Sequence, residues 1–223
     1  GKIPSLASSR YQKAFMKNAQ ERYIEYINGL KKGTEKVNAG AVYPYDVIKS
    51  IKNGNYEVAN EQWKNLPNYM ESTENSSIIP VVDVSGSMNN GINNEFNPKS
   101  TTRMDVAVSL GLYISERNEG IFKDQFITFS DDPEFYNLKG TLKQRYEQLV
   151  RSNWSFSTNF QKVFRIILDS ATRNNLSQED LPDTVLILSD MQFNQAESGG
   201  LGRNSNPTAF EMIDKMYKDA GYE

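Results

Sequence analysis

The sequence predicts an α/β domain built on a doubly wound, mostly parallel sheet, with a helical appendage in front of it. Three observations carry that expectation. Two apolar runs rich in β-branched residues, Ile78 to Val82 and Thr184 to Leu188, each lead to an aspartate, Asp83 and Asp190. Runs that are apolar at every position suit strands covered on both faces, as in a parallel sheet. Helical spacings alternate with these runs along residues 76–223, which is the pattern of helices wound about a sheet. Residues 1–75, in contrast, carry helical spacings and no strand.

The appendage reads as several short helices. Ser8 to Lys32 places Tyr11, Ala14, Phe15, Tyr23, Ile24, Tyr26, Ile27 and Leu30 at helical intervals. It predicts one helix, or two with a break near Asn18, stopped by Gly33. Pro44 opens a helix that runs to Ile51 and closes at Asn53-Gly54. Glu57 to Met70 gives a further helical piece interrupted near Pro67. Glu71 to Ser77 is polar and reads as a linker. The appendage's aromatic residues are expected to pack onto the sheet domain, with a partner-binding surface as the other reading.

In the second part, Ile78 to Asp83 is the first strand, with Pro80 as a blemish because it removes a ladder donor. Asn89 to Thr102 is Asn-rich and has no helical period; a loop of that length is expected to rim the site or to be disordered. Asp105 to Arg117 shows an apolar helical face. Gln125 to Phe129 is a strand, and Glu134 to Leu138, after the turn Asp131-Asp132-Pro133, is a short antiparallel partner. Thr141 caps a helix to Val150. Asn159 to Thr172 is so apolar that a deeply buried helix is expected. Asp183 to Ser189 is the second central strand. After the Gly-rich stretch Glu197 to Asn206, a last helix runs from about Pro207 to Asp219.

Composition excludes much chemistry. The 223 residues contain no cysteine and no histidine. Disulfides, thiol nucleophiles, zinc-thiolate sites, a Ser-His-Asp triad and imidazole ligands are therefore ruled out. A net charge of −3 is not the footprint of a chain built to neutralise a phosphate backbone. No run of 18 apolar residues and no signal peptide is visible, so a cytoplasmic protein without a membrane span is expected. Gly1 in place of Met reads as a chain processed or cut from a longer one.

The chemistry that remains gathers at the end of the first strand. Asp83, Ser85 and Ser87 alternate along a turn, with Gly86 expected to let the backbone turn tightly. Ligands of open α/β sheets collect outside the carboxyl ends of the strands. Three small hard oxygen ligands of which one is charged suit Mg²⁺ or Mn²⁺ better than a transition metal. The plain alternative is a strand that ends in an ordinary Asx or Ser turn.

Asp83-Val84-Ser85-Gly86-Ser87 resembles the Asp-x-Ser-x-Ser signature of von Willebrand factor A (vWA) domains, the first part of their metal-ion-dependent adhesion site. The resemblance implies two further ligands. Thr158, in Ser157-Thr158-Asn159 before the apolar helix, matches the family's Thr, although a helix N-cap is its other reading. Asp190, after Leu186-Ile187-Leu188-Ser189, matches the family's later Asp, although it also suits a strand-end turn. By this resemblance Asp83, Ser85, Ser87, Thr158 and Asp190 hold Mg²⁺ or Mn²⁺, directly or through water. An open coordination position then takes a Glu or Asp carboxylate from a partner protein, and no catalysis is expected.

The phrases Ser109 to Glu116, Phe126 to Ser130, Ser157 to Gln161 and Leu188 to Asn194 resemble a vWA group related to the Ro-type (TROVE-module) proteins. That likeness implies RNA binding as an alternative, though the Ro proteins hold RNA mainly on a ring of helical repeats, and this chain has few such helices and an acidic balance. vWA domains continue into another strand and helix, so a fragment lacking its final sheet elements is expected, with an open sheet edge. A Mg²⁺-dependent phosphatase of haloacid-dehalogenase type is a lesser alternative. It needs Asp-x-Asp, and Ser85 stands at the second acidic position.

Overall fold

A computed structural model describes residues 3–71, 77–92, 100–130, 132–152, 160–190 and 208–223. The helices α1 (Ser5–Arg10), α2 (Gln12–Asn18), α3 (Gln20–Lys32), α4 (Pro44–Lys52) and α5 (Tyr56–Lys64) come first. They are followed by β1 (Ile78–Asp83), α6 (Arg103–Arg117), β2 (Gln125–Phe129), β3 (Phe135–Asn137), α7 (Leu142–Val150), α8 (Phe160–Arg173), β4 (Thr184–Leu188) and α9 (Ala209–Asp219). The strands form one sheet in the order β3-β2-β1-β4. β1 is parallel to both β2 and β4, and β3 is antiparallel to β2. The α/β class with a mostly parallel, open sheet is thus as expected.

Alternation along the strands explains the double winding. Val82 and Phe126 point to one face, where Val108, Leu112 and Tyr113 of α6 cover them. Ile79, Val81, Ile127 and Phe129 point to the other, against Val163 and Ile167 of α8. Because both faces are covered, no polar alternation is needed, which is why β1 and β4 read as unbroken apolar runs. Pro80 is tolerated in this central strand because the ladder to β2 starts only at Val81, paired with Ile127; at Pro80 the partner is Leu186 of β4.

α6 lies unusually close to β1. A Cβ added at Gly111 would stand 2.5 Å from Val82 Cγ2, so only glycine fits there without movement. The opposite side of α6 receives the appendage. Val47, Ile48 and Ile51 of α4 and Ala59 and Trp63 of α5 belong to the same buried cluster as the α6 residues. Polar contacts reinforce this joint. Trp63 Nε1 donates to Glu116 Oε2 at 2.7 Å, Arg117 lies 3.9 Å above the Tyr113 ring, and Lys52 pairs with Asp105 at 2.7 Å.

The predicted boundaries shift in places. The first helical stretch is three helices, with breaks at Tyr11 and Ala19. Gly33 ends α3 in a left-handed conformation, φ 73°, as expected of a helix stop. α6 begins at Arg103, two residues before the expected start, because Thr102 caps it: Thr102 Oγ1 accepts the Asp105 N–H at 3.0 Å, and Asp105 Oδ2 accepts the Thr102 N–H at 3.1 Å. The expectation of a deeply buried α8 is corrected. Val163, Ile167, Leu168 and Ala171 are buried, while Phe160, Phe164 and Ile166 are half-buried. α8 is amphipathic, and α9 packs along its outer side through Phe160 against Phe210 and Phe164 against Tyr217. Among the described residues, no helix is long and apolar enough to cross a membrane.

Candidate metal centre

The carboxyl ends of β1, β2 and β4 lie along one edge of the sheet. The chain leaves β1 for α6 on one face, and reaches β4 from α8 on the other, so β1 and β4 meet where the winding changes sides. Asp83 is the last residue of β1 and stands opposite Phe129 of β2. The ladder to β4 ends at Val82 and Leu188, so the chain past Leu188 leaves the sheet next to Asp83.

Asp83 is 1% exposed, and both carboxylate oxygens are held. Oδ1 accepts the Ser85 N–H at 2.8 Å, and Oδ2 accepts the Ser189 hydroxyl at 2.5 Å. Ser85 is buried, and its Oγ lies 3.1 Å from Ser87 Oγ. A short 3-10 turn, Gly86–Asn89, follows and carries Ser87. The Met88 N–H donates to the Ser85 carbonyl at 3.2 Å, and the Met88 side chain is buried in the cluster that holds Val82 and Val84. Gly86 does not take a positive φ, so the turn does not depend on a left-handed glycine.

Asp190 follows Ser189 at the end of β4. It is half-buried, with Oδ2 shielded from solvent. The structure therefore brings Asp83, Ser85 and Ser87 together and sets Asp190 on the neighbouring strand's end. Thr158 lies outside the described residues. So does the stretch after Asp190 through residue 207, expected to shape access to the site. The Asn-rich loop is pinned at its neck: Gly91 bridges to Thr102, the Ile92 N–H donates to the Thr101 carbonyl at 2.9 Å, and the Arg103 N–H donates to the Asn90 carbonyl at 3.2 Å. Ile92 is half exposed beside that neck, and residues 93–99 lie outside the description.

Two contributors escape the motif reading. Ser189 orients Asp83, yet nothing in its own neighbourhood singles it out; only the β1–β4 register reveals the contact. Asp105 is buried, caps α6 behind the loop neck and pairs with Lys52. Its signal was Thr102-x-x-Asp105, a capping box.

Electrostatics give the site its chemical direction. A buried carboxylate is costly unless it is hydrogen-bonded and paired with positive charge. Among the described residues, no Lys or Arg forms an ion pair with Asp83; its partners are one amide and one hydroxyl. A second carboxylate follows on the next strand. Two carboxylates with serine hydroxyls fit a hard divalent cation with oxygen ligands. Among the described residues, no group of three acidic, His or Cys side chains converges as a metal site.

Residues 77–223 match the family described as "Domain of unknown function (DUF7788)", and residues 1–75 match "Domain of unknown function (DUF2828)". An uncharacterised protein of Acanthamoeba polyphaga mimivirus is 28% identical over 238 residues. That similarity takes in 99% of this chain and 39% of the viral protein, so the chain spans about two fifths of its relative's length. No solved structure matches the chain.

Proposed function

We propose that this chain, which belongs to the DUF7788 family through residues 77–223, is a divalent-cation-dependent interaction module of vWA type. One observation carries the reading: Asp83 is a buried carboxylate at the switch point of the sheet, held among the described residues by an amide and a hydroxyl but by no cationic side chain. Asp83, Ser85, Ser87 and Asp190, with Thr158 by the vWA resemblance, would hold Mg²⁺ or Mn²⁺. The Ser189 hydroxyl and the Ser85 amide fix the Asp83 carboxylate, with one donor on each oxygen. Ser85 Oγ and Ser87 Oγ, 3.1 Å apart, present a pair of neutral oxygens beside it. A divalent ion held there would, by the vWA resemblance, bind a carboxylate from a partner protein.

The test is a thermal melt of the parent chain and of Asp83→Ala in Mg²⁺, in Mn²⁺ and in EDTA. A ligand that binds only the native state raises the melting temperature by mass action. The parent is expected to melt higher with metal than with EDTA, and Asp83→Ala is expected to show no difference. Equal melting of the parent in millimolar metal and in EDTA would overturn the reading.

A further inference from the structure

The appendage grips α6 by side chains at both of its ends. In the last turn of α6, Glu116 accepts the Trp63 Nε1–H of α5. In the first turn, Asp105 Oδ1 accepts a hydrogen bond from Lys52 Nζ at 2.7 Å. The build of α4 places Lys52 there. Val47, Ile48 and Ile51 are buried in the cluster that α4 shares with α6. Asn53 and the left-handed Gly54, φ 80°, close the helix directly after Lys52. The Lys52 side chain stays 41% exposed, while that of Asp105 is 6% exposed.

From Asp105 a run of hydrogen bonds leads to the turn at the candidate metal centre. Asp105 Oδ2 accepts the Thr102 N–H at 3.1 Å, and Thr102 in return caps α6 through the Asp105 N–H. The next residue, Arg103, donates its N–H to the Asn90 carbonyl at 3.2 Å. Asn90 donates its own N–H to the Ser87 carbonyl, also at 3.2 Å. Packing follows the same route. Val84 and Met88, chain neighbours of Ser85 and Ser87, share their buried cluster with Met104 of α6 and with Ile48 and Ile51 of α4. α6 also packs against the 3-10 turn itself.

We propose that Lys52 is a positioning residue for the candidate metal centre: acting through the Asp105 carboxylate, it holds the turn that carries Ser87. The inference rests on the divalent-cation reading of that centre. Its warrant is electrostatic. The two oxygens of the buried Asp105 are divided between Lys52 and Thr102. Taking the cation from a buried ion pair leaves an uncompensated charge and is strongly destabilising. The readiest relief is for the Asp105 side chain to turn toward water, which withdraws its oxygen from the Thr102 N–H. The cap then loosens, and with it the frame that Arg103 and Asn90 give Ser87. Groups behind metal ligands fix the orientation of those ligands, which is how a residue that never meets the ion can set its affinity. Residues 1–75 and 77–223 match different family descriptions, yet in this way the first part serves the site of the second.

The experiment measures Mn²⁺ binding to the full chain and its variants, with the free ion read by electron paramagnetic resonance, and backbone amide exchange in EDTA. Lys52→Met is expected to weaken Mn²⁺ binding about tenfold, the lower end for loss of a group that orients a ligand. Lys52→Arg keeps the charge and a donor, and is expected to bind Mn²⁺ as the parent does. Trp63→Phe breaks the contact at the other end of α6 and is also expected to bind as the parent does, which separates positioning from a general loosening of the appendage. In EDTA, exchange at Asn90, Ile92 and Arg103 is expected to quicken in Lys52→Met and not in Trp63→Phe. Equal Mn²⁺ affinity in Lys52→Met and the parent, or an equal loss in Trp63→Phe, would overturn the proposal. A parent chain that binds no Mn²⁺ would overturn the divalent-cation reading itself. Unchanged exchange at Asn90 and Arg103 in Lys52→Met would overturn the hold of Lys52 on the turn whether or not the metal binds.

Discussion

Asp83 and Ser189 show what a single contact decides at the strand ends. Among the described residues, the Ser189 hydroxyl and the Ser85 amide are the only donors on the Asp83 carboxylate, and the carboxylate is buried. Ser189→Ala removes one of the two and leaves Oδ2 without a donor. A hydrogen bond to a charged group contributes about 1.5–3 kcal/mol. Ser189→Ala is therefore expected to lower stability by about 2 kcal/mol in EDTA, measured by urea unfolding. On the proposed function, the loss is expected to shrink in Mg²⁺, since the ion offsets the exposed charge. At this scale the sequence was half legible. Asp83, Ser85 and Ser87 alternate within five residues, so their spacing alone placed them on one turn. Ser189 meets Asp83 only through strand register, and no local pattern encodes register between strands 106 positions apart. Alkaline pH gives a second check on single residues. Burial, with the Asp105 charge nearby, pushes the Tyr146 phenol up to about 12. The folded state thus keeps a proton that the unfolded chain loses near its ordinary value of about 10. Tyr146's contribution is full below pH 10 and is lost as pH rises from there through 12. Tyr146→Phe is expected to flatten the decline in stability over that window, as read by urea midpoints at successive pH values.

The helices and loops show why some elements were legible and others were not. β1 and β2 have the predicted limits because buried strands carry an unbroken apolar signal that ends where solvent begins. α8 misled by composition. Seven apolar residues in fourteen suggested burial all round, yet only one side meets the sheet and the rest is shared with α9 and solvent. The number of apolar residues does not say how many neighbours exist to cover them. α6 misled at its start because its N-terminus is set by side chains rather than by periodicity. Thr102 and Asp105 satisfy each other's amides, and that cap also closes the neck of the loop beside the candidate centre. Thr102→Ala is expected to cost about 1 kcal/mol, the usual loss for an N-cap. Amide exchange is expected to quicken at Ile92 and Arg103, whose bonds form the neck, while β2 stays protected; hydrogen exchange followed by mass spectrometry or NMR reads both.

Two family descriptions cover this chain, but its interior is continuous across them. Val47, Ile48, Ile51, Ala59 and Trp63 from the helices before the sheet share one buried cluster with Val82 and Phe126 of the strands, through α6. The link is narrow as well as apolar, since Gly111 lets α6 sit against Val82 at a distance no other residue allows. A body joined in this way is expected to unfold as one unit, because separating the two parts would uncover the cluster they share around α6. Gly111→Ala forces α6 away from β1 and is expected to cost about 1–3 kcal/mol, the range for overpacking a tight core. The consequence reaches the appendage. In a Trp154→Phe background, fluorescence reports on Trp63 alone of the two tryptophans. Adding Gly111→Ala is expected to lower the urea midpoint seen by Trp63 as much as that seen by far-ultraviolet circular dichroism. A Trp63 transition left in place while the dichroism shifts would show two independently folding parts, and the shared cluster around α6 would then be a contact between domains rather than a common core.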